Sequence, residues 1–271
     1  KLGFLYRLTP EWSAFGNYAS GFRAPNAQQI NGVFDSATIP AVLLSNPDLK
    51  PEKSHNIEIG LRAMLDRLSL DIAVFRGKYD NLIVDKKPLG GKGVIGDPAI
   101  FQTVNVDKAT ISGFEIKGQV QWGEIAGGKL TTPFAYGVTH GSDDTTGLPL
   151  NAIDPAKISI GVSYSKPAWE VRLQALHQDA KMAADLDSPY LPKPATPPRV
   201  AQLTIPSAMT LDLSGQWRLQ KNLRINAAVR NLTNKKYWNW SDVQGVAANS
   251  VVIDAYTQPG RHYDMSVSYD F

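Results

Sequence analysis

Few residues in this chain could carry chemistry. The only imidazoles are His55, His140, His177 and His262, side chains that titrate near neutrality and ligate metals. Cys is absent, which removes disulfide scaffolds, thiolate zinc sites, iron–sulfur clusters and thiol nucleophiles together. Carboxylates gather at Asp143-Asp144 and at Asp179, Asp185 and Asp187. They lack the spacing of a calcium loop and read as solvated loop charge. Gly91-Lys92-Gly93-Val94-Ile95-Gly96 fits the letters of a dinucleotide fingerprint. That motif needs a strand before it and a helix after it; here Asp97-Pro98 follows, so the segment reads as a loop. The stretch from Ser188 to Pro198 carries five prolines and reads as stiff and extended. No G-x-S-x-G or H-E-x-x-H occurs, so no enzyme signature is present.

The elements that must position these residues are strands. Ile158, Ile160, Val162 and Tyr164 alternate with polar neighbours, as do Met209, Leu211, Leu213 and Trp217, then Leu223, Ile225, Ala227 and Val229, then Tyr263, Met265, Val267 and Tyr269. Side chains alternate faces along a strand, so each segment has one apolar and one polar face. No stretch has a convincing helical period. Eleven strands are expected, at about 1–8, 12–21, 54–64, 68–84, 100–122, 129–140, 156–166, 169–180, 207–219, 222–231 and 259–271. Most reach the ~9–11 residues that a membrane-spanning strand needs. Short turns near residues 9–11, 65–67, 123–128, 166–168 and 220–222 alternate with long connections at 22–53, 85–99, 141–155, 181–206 and 232–258. Short turns at one end and long loops at the other are the pattern of an outer-membrane barrel. Trp12, Trp122, Trp169, Trp217 and Phe271 fall near strand ends, where interfacial girdles lie. A soluble sandwich is the rival reading, because it also alternates.

Of 271 residues, 43% are hydrophobic and the net charge is +3. A small charge without a basic stripe argues against a nucleic-acid partner. No apolar run approaches the ~18–20 residues of a membrane-spanning helix. The last strand follows a long loop and therefore runs inward; counting back eleven, so does the first. Bacterial barrels have an even strand number, so the chain is expected to be the C-terminal part of a larger barrel.

Several motifs resemble a known family. Phe22-Arg23-Ala24-Pro25, followed after a loop by Asn46-Pro47-Asp48-Leu49, resembles the FRAP and NPxL boxes of TonB-dependent outer-membrane receptors, especially the haem and haemoglobin receptors. Ile57-Glu58-Ile59-Gly60, Asn105-Val106-Asp107-Lys108-Ala109 running into Gly113-Phe114-Glu115, Asn231-Leu232-Thr233-Asn234-Lys235-Lys236-Tyr237, Trp238 to Gly245 and Asp254 to Arg261 are similar to further segments of that family. Phe271 matches its aromatic terminus. The matches run from about residue 12 to the end.

The resemblance implies an all-β, antiparallel transmembrane β-barrel of about 22 strands, of which residues 1–271 supply about eleven, with a plug and N-terminal strands elsewhere. It implies a receptor and TonB-energised importer of the bacterial outer membrane, not an enzyme, with haem as a transported ligand and no permanently bound cofactor. The implied partners are the rest of the receptor, the TonB–ExbB–ExbD complex acting through the plug, haem or a haemoprotein, and outer-membrane lipid. A ferric siderophore is the alternative cargo; a non-transporting pore or adhesion barrel, or an outer-membrane hydrolase with a Ser–His pair, are further alternatives. The family usually places a His or Tyr between the two boxes, and residues 26–45 contain no His, Tyr, Met or Cys, the side chains that ligate haem iron. His55, His140, His177 and His262 then become the candidate ligands, with Tyr190 and Tyr256 behind them; each is otherwise a polar residue of the barrel mouth. Arg23 is a candidate for a haem propionate through a forked hydrogen bond, or else a fastener of the loop root.

Overall fold

The computed structural model describes residues 1–36, 41–91, 94–187 and 201–270. Tyr190, the proline-rich stretch, Lys92 and Gly93 of the glycine-rich segment, and Phe271 lie outside the described residues. Thirteen strands form one sheet: β1 (Leu2–Arg7), β2 (Trp12–Arg23), β3 (Phe34–Ser36), β4 (Ala41–Leu44), β5 (Glu52–Met64), β6 (Leu68–Gly90), β7 (Ala99–Ile125), β8 (Gly128–Asp143), β9 (Lys157–Lys166), β10 (Trp169–Gln178), β11 (Ala208–Gln220), β12 (Leu223–Arg230) and β13 (His262–Tyr269). Eleven run as an antiparallel meander in the order β1-β2-β5-β6-β7-β8-β9-β10-β11-β12-β13. These are the eleven strands expected from the alternation. β3 and β4 form a hairpin inside the 22–53 connection, and β4 lies parallel to β7.

Two expectations need correction. The 85–99 connection is partly strand: β6 and β7 stay paired as far as Gly90 with Ile100, with register shifts between Val84 and Lys87 and between Pro88 and Gly90. Beyond the apolar zone both faces of a hairpin meet water, so period-two hydrophobicity fades while pairing continues. Among the described residues two short α-helices also occur in loops, α1 (Ala27–Asn31) and α2 (Trp240–Val243). Asn26 caps α1 by accepting from the Gln29 amide, while the Gln29 side chain accepts from the Asn26 amide. A capping box of this kind holds a helix too short to show a period. At the other end of the sheet the β7–β8 turn is two residues, Ala126 and Gly127, with φ of 51° and 72°. Positive φ at both central positions suits the twist of a tight hairpin, and Gly127 takes it without strain.

The register divides the sheet into two faces. Cross-strand rows place Tyr18, Ile57, Arg76, Ser112 and His140 on one face, and Ala14, Leu61, Ile72, Ile116 and Tyr136 below them. The same face continues through Ile158, Ile160 and Val162, then Leu173, Leu213, Val229 and Tyr263. It is apolar and exposed, with Ile57, Ile59 and Ile160 each more than half exposed. Toward the turn end Trp169 pairs with Trp217, and Tyr164 meets Trp169 at 5.6 Å between ring centres. The opposite face is polar. It holds Arg62 with Asp71 at 3.0 Å, Arg172 with Glu170 at 3.0 Å, and Arg230 with Asp212 at 3.0 Å and Asp264 at 3.4 Å.

Candidate functional site

At the loop end the chain between the two boxes is clamped at both feet. Arg23 closes β2 and faces Glu52, the first residue of β5, on the polar face. Its Nε and Nη2 donate to the two carboxylate oxygens of Glu52 at 2.7 and 2.9 Å, and Glu52 also accepts from the Ile83 amide at 3.0 Å. This is the planar, two-point pairing that only arginine makes. Asn46, opening the second box, donates from Nδ2 to the Thr103 carbonyl at 2.9 Å, while its own amide donates to Ile30. Leu49 is buried. Asn105 exchanges two hydrogen bonds with the backbone of Lys50, at 2.8 and 2.9 Å, and donates to the Asn81 carbonyl at 2.8 Å. Asp85 accepts from Gln29 and Thr103, both at 3.1 Å. The boxes are thus anchorage: Phe22 lies exposed on the apolar face, Ala24 and Pro25 lead out of β2, and Pro47 and Asp48 form the bend before Leu49.

The connections 181–206 and 232–258 share a buried apolar core, to which 141–155 is tied by hydrogen bonds. Leu186, Ile205, Trp240 and Val243 are buried together, with Leu203, Trp238, Val246, Ile253 and Tyr256 against them. Trp240 donates its indole N–H to the Asn151 carbonyl. Asn151 and Asp187 exchange hydrogen bonds at 2.7 and 2.9 Å. Lys181 is buried; its ammonium donates to the Ile153 carbonyl at 2.7 Å and stands 5.3 Å from the Trp240 ring centre. Burial holds the Lys181 pKa below the ordinary lysine value, against the pull of Asp185 and Asp154. Asn231, at φ 49°, ties the base of the last loop: its side chain exchanges hydrogen bonds with Lys235 and donates to Pro259, and its amide donates to Asp212.

The four imidazoles do not converge. His55, His140 and His177 share the apolar face, pairing across strands with Ser20, Ser112 and Met209. His55 is hydrogen-bonded to the Tyr18 hydroxyl at 2.9 Å, and His177 lies 3.1 Å from Asp179. His262 alone takes the polar face, opposite Arg230. Its Nδ1 donates to the Gly260 carbonyl at 2.9 Å, so in the neutral ring the lone pair sits on Nε2. Tyr256 is half-buried in the loop core.

The model of the β-barrel of TonB-dependent receptor-like proteins matches residues 1–232. The chain belongs to the TonB-dependent receptor family. It is 30% identical to hemoglobin and hemoglobin-haptoglobin-binding protein A of Haemophilus influenzae over 94% of this chain and 25% of that protein. It is 26% identical to transferrin-binding protein A of Neisseria meningitidis serogroup B over 93% of this chain and 30% of that protein. The chain thus spans about a quarter of the length of these curated relatives. Among solved structures, the copper transporter OprC superposes with a TM-score of 0.74 at 17% identity, covering 99% of this chain and 38% of that one. The ferric enterobactin receptor of Pseudomonas aeruginosa gives 0.69 at 23% identity, with 99% and 39% covered. At these identities the two structures speak for the fold.

Membership places the receptor in the outer membrane of a Gram-negative cell and among receptors and transporters. The apolar face is then the lipid face, the polar face lines the lumen, and the loop end is outside. His55, His140 and His177 accordingly project toward lipid and its headgroups, while His262 and Arg23 face the lumen. Glu52, Asp85, Thr103, Asn105, Lys181 and Asn151 were not singled out in the sequence. For Asn105 a signal existed in the N-V-x-x-A motif, whose asparagine is the one that holds Lys50.

Proposed function

We propose that the whole receptor binds haem, free or carried by a haemoprotein, at its outer face and imports it with TonB energy. In this reading the present chain is the C-terminal half of the barrel. The remaining strands join at β1 and β13, each of which has one neighbour in the sheet, and a plug on that missing part couples to TonB–ExbB–ExbD. The observation that carries the cargo assignment is the likeness, over 94% of the chain, to receptors named for binding hemoglobin. His262 supports it, as an imidazole on the lumenal face whose neutral ring has its lone pair on Nε2. A ferric siderophore is the second reading, favoured by the lack of any haem-ligating side chain in residues 26–45.

The test is growth of an iron-starved deletion strain expressing the whole receptor. Haem or haemoglobin as sole iron source should restore growth, and the purified receptor should show a Soret band that His262→Ala shifts. Growth on a catecholate siderophore with none on haem or haemoglobin would select the second reading.

A further inference from the structure

The lipid face carries an unexplained cluster of cations at its outer edge. On β5, β6 and β7, the rows above the apolar band read Ile57, Arg76, Ser112; then His55, Lys78, Thr110; then Lys53, Asp80, Lys108. Directly paired side chains on one face of a sheet stand about 5 Å apart and diagonal ones about 7–8 Å. Arg76, Lys78, Lys53 and Lys108 therefore form one contiguous patch, and all four are exposed. Two carboxylates share this face. Asp80 lies between Lys53 and Lys108, and Asp144 is held by Thr110 at 2.8 Å and Ser142 at 3.4 Å. Among the described residues none of the four cations is in an ion pair, whereas four arginines of the lumenal face, Arg23, Arg62, Arg172 and Arg230, are. The same three strands are uncharged at the turn end of this face, where they present Leu61, Ala63, Leu70, Val120 and Trp122.

We propose that Lys53, Arg76, Lys78 and Lys108 form a binding patch for the phosphate groups of the outer-leaflet glycolipid. A charged patch pointed away from the lumen, at the upper limit of an apolar band, sits at headgroup height. Unpaired cations there attract anionic headgroups and gain most where phosphates are fixed in the membrane plane. The asymmetry between the two ends of the strands matches a bilayer whose outer leaflet alone is built of phosphorylated glycolipid. The Tyr18–His55 hydrogen bond closes the flank of the patch facing β2.

The intact receptor, purified and delipidated, would be titrated with lipid A carrying both phosphates, with dephosphorylated lipid A, and with phosphatidylcholine. Binding would be read by native mass spectrometry. Phosphorylated lipid A should bind, and the Arg76→Gln/Lys78→Gln variant should weaken it on the order of 25-fold, since each cation at an anionic surface is worth about a factor of five. Lys117→Gln, on the lumenal face, should leave binding unchanged. Heat-modifiable migration on gels reports that each variant is folded. Equal binding of dephosphorylated lipid A, an unchanged affinity in the folded double variant, or full displacement by millimolar inorganic phosphate would each overturn the proposal. The last would make the patch a site for free anions rather than for a membrane-held lipid.

Discussion

Asn105 shows how one polar side chain can hold a loop. Its amide group uses both donors and its oxygen to fix the backbone of Lys50 and Asn81, so the foot of the loop cannot lift without breaking the two bonds to Lys50 at once. Each such bond contributes about 1 kcal/mol net, so Asn105→Ala should ease opening of that foot by roughly 2 kcal/mol. Exchange of the Lys50 amide should then speed up by about 30-fold or more. Asn105→Asp should be worse, because it sets a carboxylate against two carbonyl oxygens. An unchanged Lys50 exchange rate in both variants would show that the clamp is held elsewhere. The role of Asn105 was half-legible in the sequence: the motif marked the position, but a motif does not reveal which backbone a side chain will reach across 55 residues. The histidines illustrate the converse. Their nearness to the outer rim follows from strand order, yet their facing depends on parity within each strand, and a single bulge reverses it.

At the scale of elements, the strands were legible because lipid and water impose opposite demands on alternate residues. Where that contrast ends, legibility ends with it. The β6–β7 hairpin continues past the apolar band through Lys86-Lys87-Pro88, and nothing in such a sequence separates strand from loop. The outer loop core was hidden for another reason: Leu186 and Ile205 come from one connection and Trp240 and Val243 from the next, and no local period joins them. Lys181 gives that core a pH signature. Its folded pKa is depressed by burial, so with the loops open it holds its proton more tightly than when they are closed. Raising pH through the alkaline window, from the depressed value to the ordinary lysine value, should therefore stabilise the closed cluster. A 5-fluorotryptophan at Trp240, followed by fluorine NMR, should show the closed fraction rising through that window. Lys181→Met should flatten the curve. The same slope in both proteins would assign the effect to another group.

At the scale of the whole molecule, the face assignment and the orientation are one claim and stand or fall together. If long loops lie outside, Arg23, Arg230, the clamped loop and His262 all open toward the extracellular mouth, and the basic patch meets the outer leaflet. The natural chain has no Cys, so single cysteines can be introduced in a whole receptor freed of any others. Ile95→Cys and Val251→Cys, at sites 91% and 96% exposed, should react on intact cells with a membrane-impermeant maleimide. Asp66→Cys and Lys221→Cys, in short turns between β5 and β6 and between β11 and β12, should react only after the outer membrane is opened. Ile160→Cys, in the middle of the lipid face, should resist the polar reagent in both conditions and accept a lipid-soluble one. Labelling of Asp66→Cys and Lys221→Cys on intact cells, with Ile95→Cys and Val251→Cys silent, would invert the barrel and move the basic patch to the periplasmic leaflet. Ready labelling of Ile160→Cys by the polar reagent would mean that the apolar face meets water, and the lipid-facing assignment of His55, His140 and His177 would fall with it.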